Sequence, residues 1–400
     1  MGGDVRVSRD AAAWHLKNQI QSARHQSRAD RARRTFFFAG LASSLPLSAP
    51  RSTSSTLSSS LSLSLASALP DIACDGMALR AQSSPHFSAR ASGNMSARNV
   101  WVDMGAIFAT IGATVASSYA FVTPVRAKAQ TRTKRSASTA VGARWMCDAR
   151  TNPSKAHAEW FILKYSACWI ASVGVVIALS LYESFGKWGY LLYCGACAAP
   201  ALAWPLMFPC AADRGRPLGE RYIVKANLWI AVFGFIGNYW YTHYFYNVLK
   251  ADYTFPAHRL NDVPISMYLM THAYFMFYHV LSNAALRRIR TGFVDNRARF
   301  VFECVAIGAM SYTTAFMESL TICGFPYYDF ENRHMAYTLG SAFYGIYFLV
   351  SFPMFLRVNE TKPMPMSQVF WESMGSGMAV LCLLDFVRVY LRIPFVMRVR

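Results

Sequence analysis

Four hundred residues would suffice for two or three soluble domains, but 54% hydrophobic content, 15% charged residues and a mean hydropathy of +0.21 exclude that organisation. A net charge of +19 is what a nucleic-acid binder carries, yet its distribution excludes that reading: residues 1–150 hold +12 and the hydrophobic remainder only +7.

The chain opens with an Arg-rich stretch over residues 1–34, and residues 43–67 contain twelve serines. Arg- and Ser-rich, acid-poor sequence reads as an organelle transit peptide (plastid or mitochondrial), as translated upstream sequence, or as a disordered tail. Residues 104–125 are uncharged and long enough to span a bilayer, though rich in Ala, Gly, Ser and Thr; a basic run from Arg126 to Arg135 follows. The expected organisation is therefore an extension over 1–150, with an additional candidate span at 104–125, and a membrane-embedded domain over 151–400.

Charge-free runs occupy 165–182, 188–212, 226–249, 263–286 and 335–356. Two further runs are nearly free of charge: 304–328 contains only Glu318, and 373–391 only Asp385 and Arg388. A soluble helix needs a polar face, and the five charge-free runs offer no continuous one. The predicted fold is all-α: a polytopic integral membrane bundle of about seven spanning helices over 159–391. Loops 213–225 and 287–299 hold four and five basic residues, while 183–187, 250–262 and 329–334 hold one, two and one. The basic loops are thereby assigned to the cytoplasm. The basic end, with Arg392, Arg398 and Arg400, conflicts with a seventh full crossing and predicts either a re-entrant last segment or a count off by one. Most cysteines lie in or at the spans, and Cys194-Gly-Ala-Cys197 sits in a run of small residues suited to helix packing, not to a metal or redox pair.

An ionisable residue inside a span costs a few kcal/mol, so each one is a functional candidate. His272 and His279 are two turns apart on 263–286, with Asn283 on the same stripe; an interhelical hydrogen-bond seam explains them equally well. The preceding run carries Asn238, Tyr239, Trp240, Tyr241 and His243 in a dense aromatic block that also fits an interfacial belt. Glu318 shares a helix face with Ser311 and Thr314 and has no basic residue within a turn. A carboxyl so placed is expected to be protonated near neutrality, as a general acid must be. Asp385 and Arg388 read as a structural ion pair. No close histidine pair for di-iron, no P-loop or dinucleotide fingerprint and no GxSxG elbow occurs. Cofactor-free acid/base chemistry or a non-catalytic role remains, with no cofactor and no metal expected.

Several segments together resemble one family. Lys225-Ala226-Asn227-Leu228-Trp229-Ile230, Gly237-Asn238-Tyr239, Thr242-His243-Tyr244-Phe245 and Tyr253-Thr254-Phe255-Pro256 are similar to plant cycloeucalenol cycloisomerases, the cyclopropyl sterol isomerases. So are Thr271-His272, Phe277-Tyr278-His279-Val280, Leu286-Arg287-Arg288, Phe325-Pro326-Tyr327-Tyr328 and Val350-Ser351-Phe352-Pro353. The resemblance runs in order from about Asn152 to Arg388, and departs over residues 1–150, at Lys164 and Cys168, and after Arg392. It implies an enzyme of the endoplasmic reticulum membrane that opens the 9β,19-cyclopropane ring of cycloeucalenol to give obtusifoliol without a cofactor. The sterol would enter from the bilayer, with no nucleic acid and no obligate protein partner.

That chemistry needs a proton donor, a stabiliser for the C9 cation and an acceptor for the C8 proton. Glu318 is the expected donor and His272 or His279 the acceptor or relay. Tyr239, Trp240, Tyr241 and Tyr312 are expected to stabilise the cation or orient the sterol, Asn238 and Asn283 to orient a histidine or the sterol 3-hydroxyl, and His243 to contact the substrate. A sterol Δ8–Δ7 isomerase, which runs the same proton logic on an alkene, and a lipid or solute carrier are the competing readings.

Overall fold

The computed structural model describes residues 97–125, 143–247, 251–323, 327–330, 333–390 and 392, and the backbone alone at 97–99, 241–247 and 323. The Arg- and Ser-rich stretches of the extension lie outside the described residues. Eight long helices follow the apolar runs: α1 Ala97–Ala120, α2 Pro153–Ala178, α3 Lys187–Met207, α4 Tyr222–Asn247, α5 Ile265–Gly292, α6 Arg297–Cys323, α7 Arg333–Leu356 and α8 Met366–Tyr390. Six of them, all but α4 and α5, are long and apolar enough to cross a membrane. With these six spans the chain is a multi-pass helical membrane protein. The last segment, for which a re-entrant path was one expectation, is instead an uninterrupted helix of 25 residues.

Local sequence sets several boundaries. Asn152 accepts the Lys155 N–H on its Oδ1 at 3.1 Å and precedes Pro153, a residue pre-shaped for the first helical position, so α2 begins there. Asn296 caps α6 through the Arg299 N–H at 2.9 Å. Two prolines interrupt α3, and each interruption is repaired from another helix. Pro200 cannot donate to the Ala196 carbonyl, which accepts the Tyr165 hydroxyl at 3.2 Å; Pro205 cannot donate to the Ala201 carbonyl, which accepts Asn227 Nδ2 at 3.1 Å. In α7 a π-helical turn spans Ala336–Gly340, and the carbonyls of Tyr337 and Thr338 face the Tyr312 hydroxyl at 3.4 Å each.

The described chain separates into two compact units. One contains residues 167–185, which are the C-terminal part of α2 and a 3-10 turn Leu181–Ser184, together with Ala97. The other contains 98–166 and 186–392, so α1 shares a unit with α3–α8 although it belongs to the stretch read as an extension. Its Phe108 ring lies edge-on to Phe316 and Tyr312 of α6, and its Trp101 ring meets Tyr337 of α7.

Within this larger unit α7 packs against α5, α6 and α8, and α4 against α5 and α8. Close approaches set the spacing. A Cβ on Gly237 of α4 would come within 2.9 Å of the Tyr347 ring, whose hydroxyl donates to the Gly237 carbonyl at 3.2 Å. The helices alternate in direction. The starts of α2 and α4 and the ends of α5 and α7 meet at one end, where Ser154 Oγ accepts the Tyr222 N–H at 3.2 Å and Lys155 pairs with Glu360. At the other end, β1 Ala251–Tyr253 pairs antiparallel with β4 Tyr328–Phe330. Beside it is a hairpin of β2 Arg259–Leu260 and β3 Val263–Pro264. Asn261 and Asp262, at φ 50° and 64°, supply the left-handed pair that a tight hairpin turn requires.

Candidate active site

Three polar centres lie within the larger unit, and they differ in what they leave free. The first is ionic. Arg287, near the end of α5, pairs with Glu159 of α2 at 2.7 Å and with Glu360 beyond α7 at 2.7 Å, while Lys155 Nζ pairs with Glu360 at 2.7 Å. The side chains of Lys155, Glu159 and Arg287 are 0%, 1% and 5% exposed. Arg287 also donates to the Trp145 carbonyl, Lys155 to the Leu356 and Val358 carbonyls, and the Cys147 N–H to Glu159. Two cations and two carboxylates with such saturation bind nothing further; they fasten α2, α5, the segment before α2 and the turn after α7. Burial opposes the charge of Glu360, but the bonds from Arg287 and the nearby Lys155 outweigh it and hold the carboxyl at about 2. Burial first, and then the Glu159 carboxylate, push the Cys147 thiol up to about 11.

The second centre is the histidine stripe of α5. His279 is fully buried, with its Nδ1 2.7 Å from the Phe275 carbonyl and its Nε2 2.8 Å from Ser351 Oγ. The carbonyl can only accept, so Nδ1 carries the proton and Nε2 accepts the serine hydroxyl. Rings of Trp229, Phe233, Phe275, Phe348, Phe352 and Phe355 surround it at centroid distances of 5.1–6.4 Å. His272 donates through Nε2 to Asn227 Oδ1 at 2.8 Å, and the Asn227 amide in turn serves the Ile223 carbonyl and the proline gap of α3. His272 thus ties α5 to α4, and His279 ties it to α7. Asn283, one turn beyond His279, is wholly buried, and neither amide atom has a hydrogen-bond partner among the described residues.

The third centre is Glu318, about one turn from the end of α6. Its Oε2 accepts the Tyr344 hydroxyl of α7 at 2.9 Å. The phenols of Tyr274 and Tyr278 on α5 and of Tyr328 on β4 lie within electrostatic range of the same carboxyl. Glu318, Tyr274, Tyr278, Tyr328 and Tyr344 are each half-buried and keep part of their surface accessible, so they border open space beside the carboxyl. Tyr274 and Tyr278 are four residues apart and their rings meet at 5.7 Å. They project from α5 away from the His272–His279 stripe, because steps of 100° per residue put 274 and 278 on a different face.

The structure therefore separates residues that share a chain segment. Glu318 stands among the tyrosines, whereas His272 is bonded to Asn227 of α4 and His279 to Ser351 of α7. Tyr312 turns to the π-helical turn and to α1, not toward Glu318. Asn238 accepts from Thr271 at 3.3 Å and donates to the Gly234 carbonyl at 2.8 Å, an α4–α5 seam. Tyr239 stacks on Phe235, and Trp240 is exposed on the outer surface of α4. The side chains of Tyr241 and His243 lie outside the described residues. Sequence reasoning missed Tyr274, Tyr278, Tyr328 and Tyr344. The i, i+4 pair of tyrosines opposite the histidine stripe was the signal available.

Over 245 residues the chain is 44% identical to the cycloeucalenol cycloisomerase of Arabidopsis thaliana, a match that takes in 60% of this chain and 88% of the relative. It belongs to the cycloeucalenol cycloisomerase family. No protein-family model and no solved structure matches the chain. As a cycloeucalenol cycloisomerase family member it is an isomerase of sterol biosynthesis built into a membrane. For this family the separation of the three centres is informative. The ionic cluster is saturated by the fold and each histidine is hydrogen-bonded to a neighbouring helix, whereas Glu318 presents a carboxyl together with aromatic side chains.

Proposed function

We propose that the protein opens the 9β,19-cyclopropane ring of cycloeucalenol to give obtusifoliol in the endoplasmic reticulum membrane, without a cofactor, on sterol that enters the Glu318 crevice from the bilayer. The observation that carries the reading is a carboxyl within a candidate membrane span, hydrogen-bonded by one tyrosine and bordered by three more. Glu318 passes its proton to C19 as the C9–C19 bond breaks; the electrons of that bond form the new C–H bond, and C9 is left a tertiary cation. Faces of Tyr274, Tyr278 and Tyr344 stabilise that cation by roughly 1–2 kcal/mol each where they are desolvated. Loss of the C8 proton then places the double bond between C8 and C9.

The acceptor is the Glu318 carboxylate itself. C19 and C8 are both bonded to C9, so one carboxyl reaches both, and returning the proton restores the acid for the next cycle. His272 and His279 support the reading from the other side, since hydrogen bonds occupy His272 against Asn227 of α4 and His279 against Ser351 of α7.

Membranes containing the protein, fed cycloeucalenol, should yield obtusifoliol by mass spectrometry, and Glu318→Gln in microsomes of a sterol-isomerase-deficient host should yield none. Full turnover by Glu318→Gln would remove Glu318 from the reaction.

A further inference from the structure

We propose that Tyr344 is the positioning residue of the proton donor, confining the acidic proton of Glu318 to the oxygen that faces the crevice. The inference rests on the assignment of Glu318 as donor and goes beyond it to say how that acid is aimed. A neutral carboxylic acid has one proton on two oxygens, and its reactivity toward a fixed carbon depends on which oxygen carries it. Tyr344 donates its phenol hydrogen to Oε2 at 2.9 Å. An oxygen that accepts in this way is the carbonyl oxygen of the neutral acid, so the acidic hydrogen belongs on Oε1. Oε1 has no hydrogen-bond partner among the described residues, and it is not sealed from the crevice as the orphaned buried atoms elsewhere are. The proton therefore rests on the accessible oxygen.

Tyr344 is itself held. Its ring packs on Tyr347 and Phe348 of the same helix at 5.6 and 5.1 Å, and Phe348 is fully buried against Phe275 of α5. Two residues on from Gly345, where an added Cβ would lie 3.5 Å from the Ser311 carbonyl of α6, Tyr347 anchors the helix to the Gly237 carbonyl. A phenol packed against two neighbouring rings delivers its hydrogen to one place. When the proton leaves Oε1, the carboxylate formed still accepts from Tyr344, and that charge-assisted bond is stronger than the one to the neutral acid. The interaction thus grows along the reaction coordinate and favours transfer over binding.

The test combines turnover with the infrared carbonyl stretch of the full-length protein, purified in an ester-free detergent. The spectrum of wild type minus Glu318→Gln isolates the band of the protonated Glu318 carboxyl. In Tyr344→Phe this band should move to higher wavenumber, because its carbonyl oxygen has lost a hydrogen bond. The kcat for cycloeucalenol should fall about 10- to 100-fold with KM within about twofold of wild type. A structural role for Tyr344 would lower the amount of folded protein and leave the band in place. If Tyr344→Phe does not accumulate, Glu318→Asp draws the carboxyl back from Tyr344 by one methylene and should show the same shift and the same loss of kcat. An unshifted band in whichever variant folds, or wild-type kcat in Tyr344→Phe, overturns the proposal. A wild-type protein with no Glu318 carboxylic band at all would instead refute the donor assignment on which it rests.

Discussion

Replacing Arg287 with methionine removes the centre of the buried ionic cluster while keeping most of the volume of its aliphatic stem. Five hydrogen bonds disappear: two to Glu159, two to Glu360 and one to the Trp145 carbonyl. Lys155 remains to serve Glu360 at 2.7 Å, but Glu159, 1% exposed, keeps only the Cys147 N–H among these partners. The cluster passes from two cations and two carboxylates to one cation and two, so a carboxylate is left buried without compensation. Breaking a buried pair in this way costs about 3–5 kcal/mol. At roughly 2–4 °C per kcal/mol for a chain of a few hundred residues, the apparent melting temperature should drop by about 6–20 °C in detergent-purified protein. The double variant Arg287→Met, Glu159→Gln removes the stranded charge. It should recover part of the loss, with a coupling of about 1–3 kcal/mol in the double-mutant cycle. Arg287→Met as stable as wild type, or a double variant no better than the sum of the singles, would show that the cluster does not hold α2, α5 and the turn after α7 together.

His279→Phe should lower the yield of folded protein by leaving the Ser351 hydroxyl and the Phe275 carbonyl without their partner, a loss of about 1–3 kcal/mol, while kcat per folded molecule stays near wild type; a selective loss of kcat would return His279 to the reaction. Glu360 gives a pH dependence with a definite sign. Its carboxyl is at about 2 in the folded protein against an ordinary value of 4.5, so the stability it contributes is fully present above about 4.5 and is lost as the pH falls toward 2. Glu360→Gln should therefore melt below wild type at pH 7, and the gap should close between pH 4.5 and pH 2; a gap independent of pH would refute the linkage.

The apolar runs were legible because a membrane span leaves few options: charge is excluded over some twenty residues and the helix must satisfy its own backbone. All seven runs in 165–391 became helices, and the span candidate at 104–125 became α1, displaced toward the N-terminus to Ala97–Ala120 and ending before Pro124. Glu318 stood out for the same reason, as the one acidic residue in an otherwise uncharged stretch. Polar residues that repair prolines were not legible, since nothing near Asn227 in the chain announces that the Ala201 carbonyl needs a donor. Arg287 was read as one basic residue of a cytoplasmic loop, whereas its partners Glu159 and Glu360 stand 128 and 73 positions away.

By itself the sequence determined the medium, the helices, the family and the one carboxyl worth testing, because each depends on composition or on contiguous residues. Only the tertiary structure decided which polar groups are satisfied and which face a crevice. That is a question of what lies across from each side chain, and helices far apart in the chain supply the answer. It set His279 against Ser351 within a ring of aromatic side chains. It gave Glu318 the hydroxyl of Tyr344 as its partner.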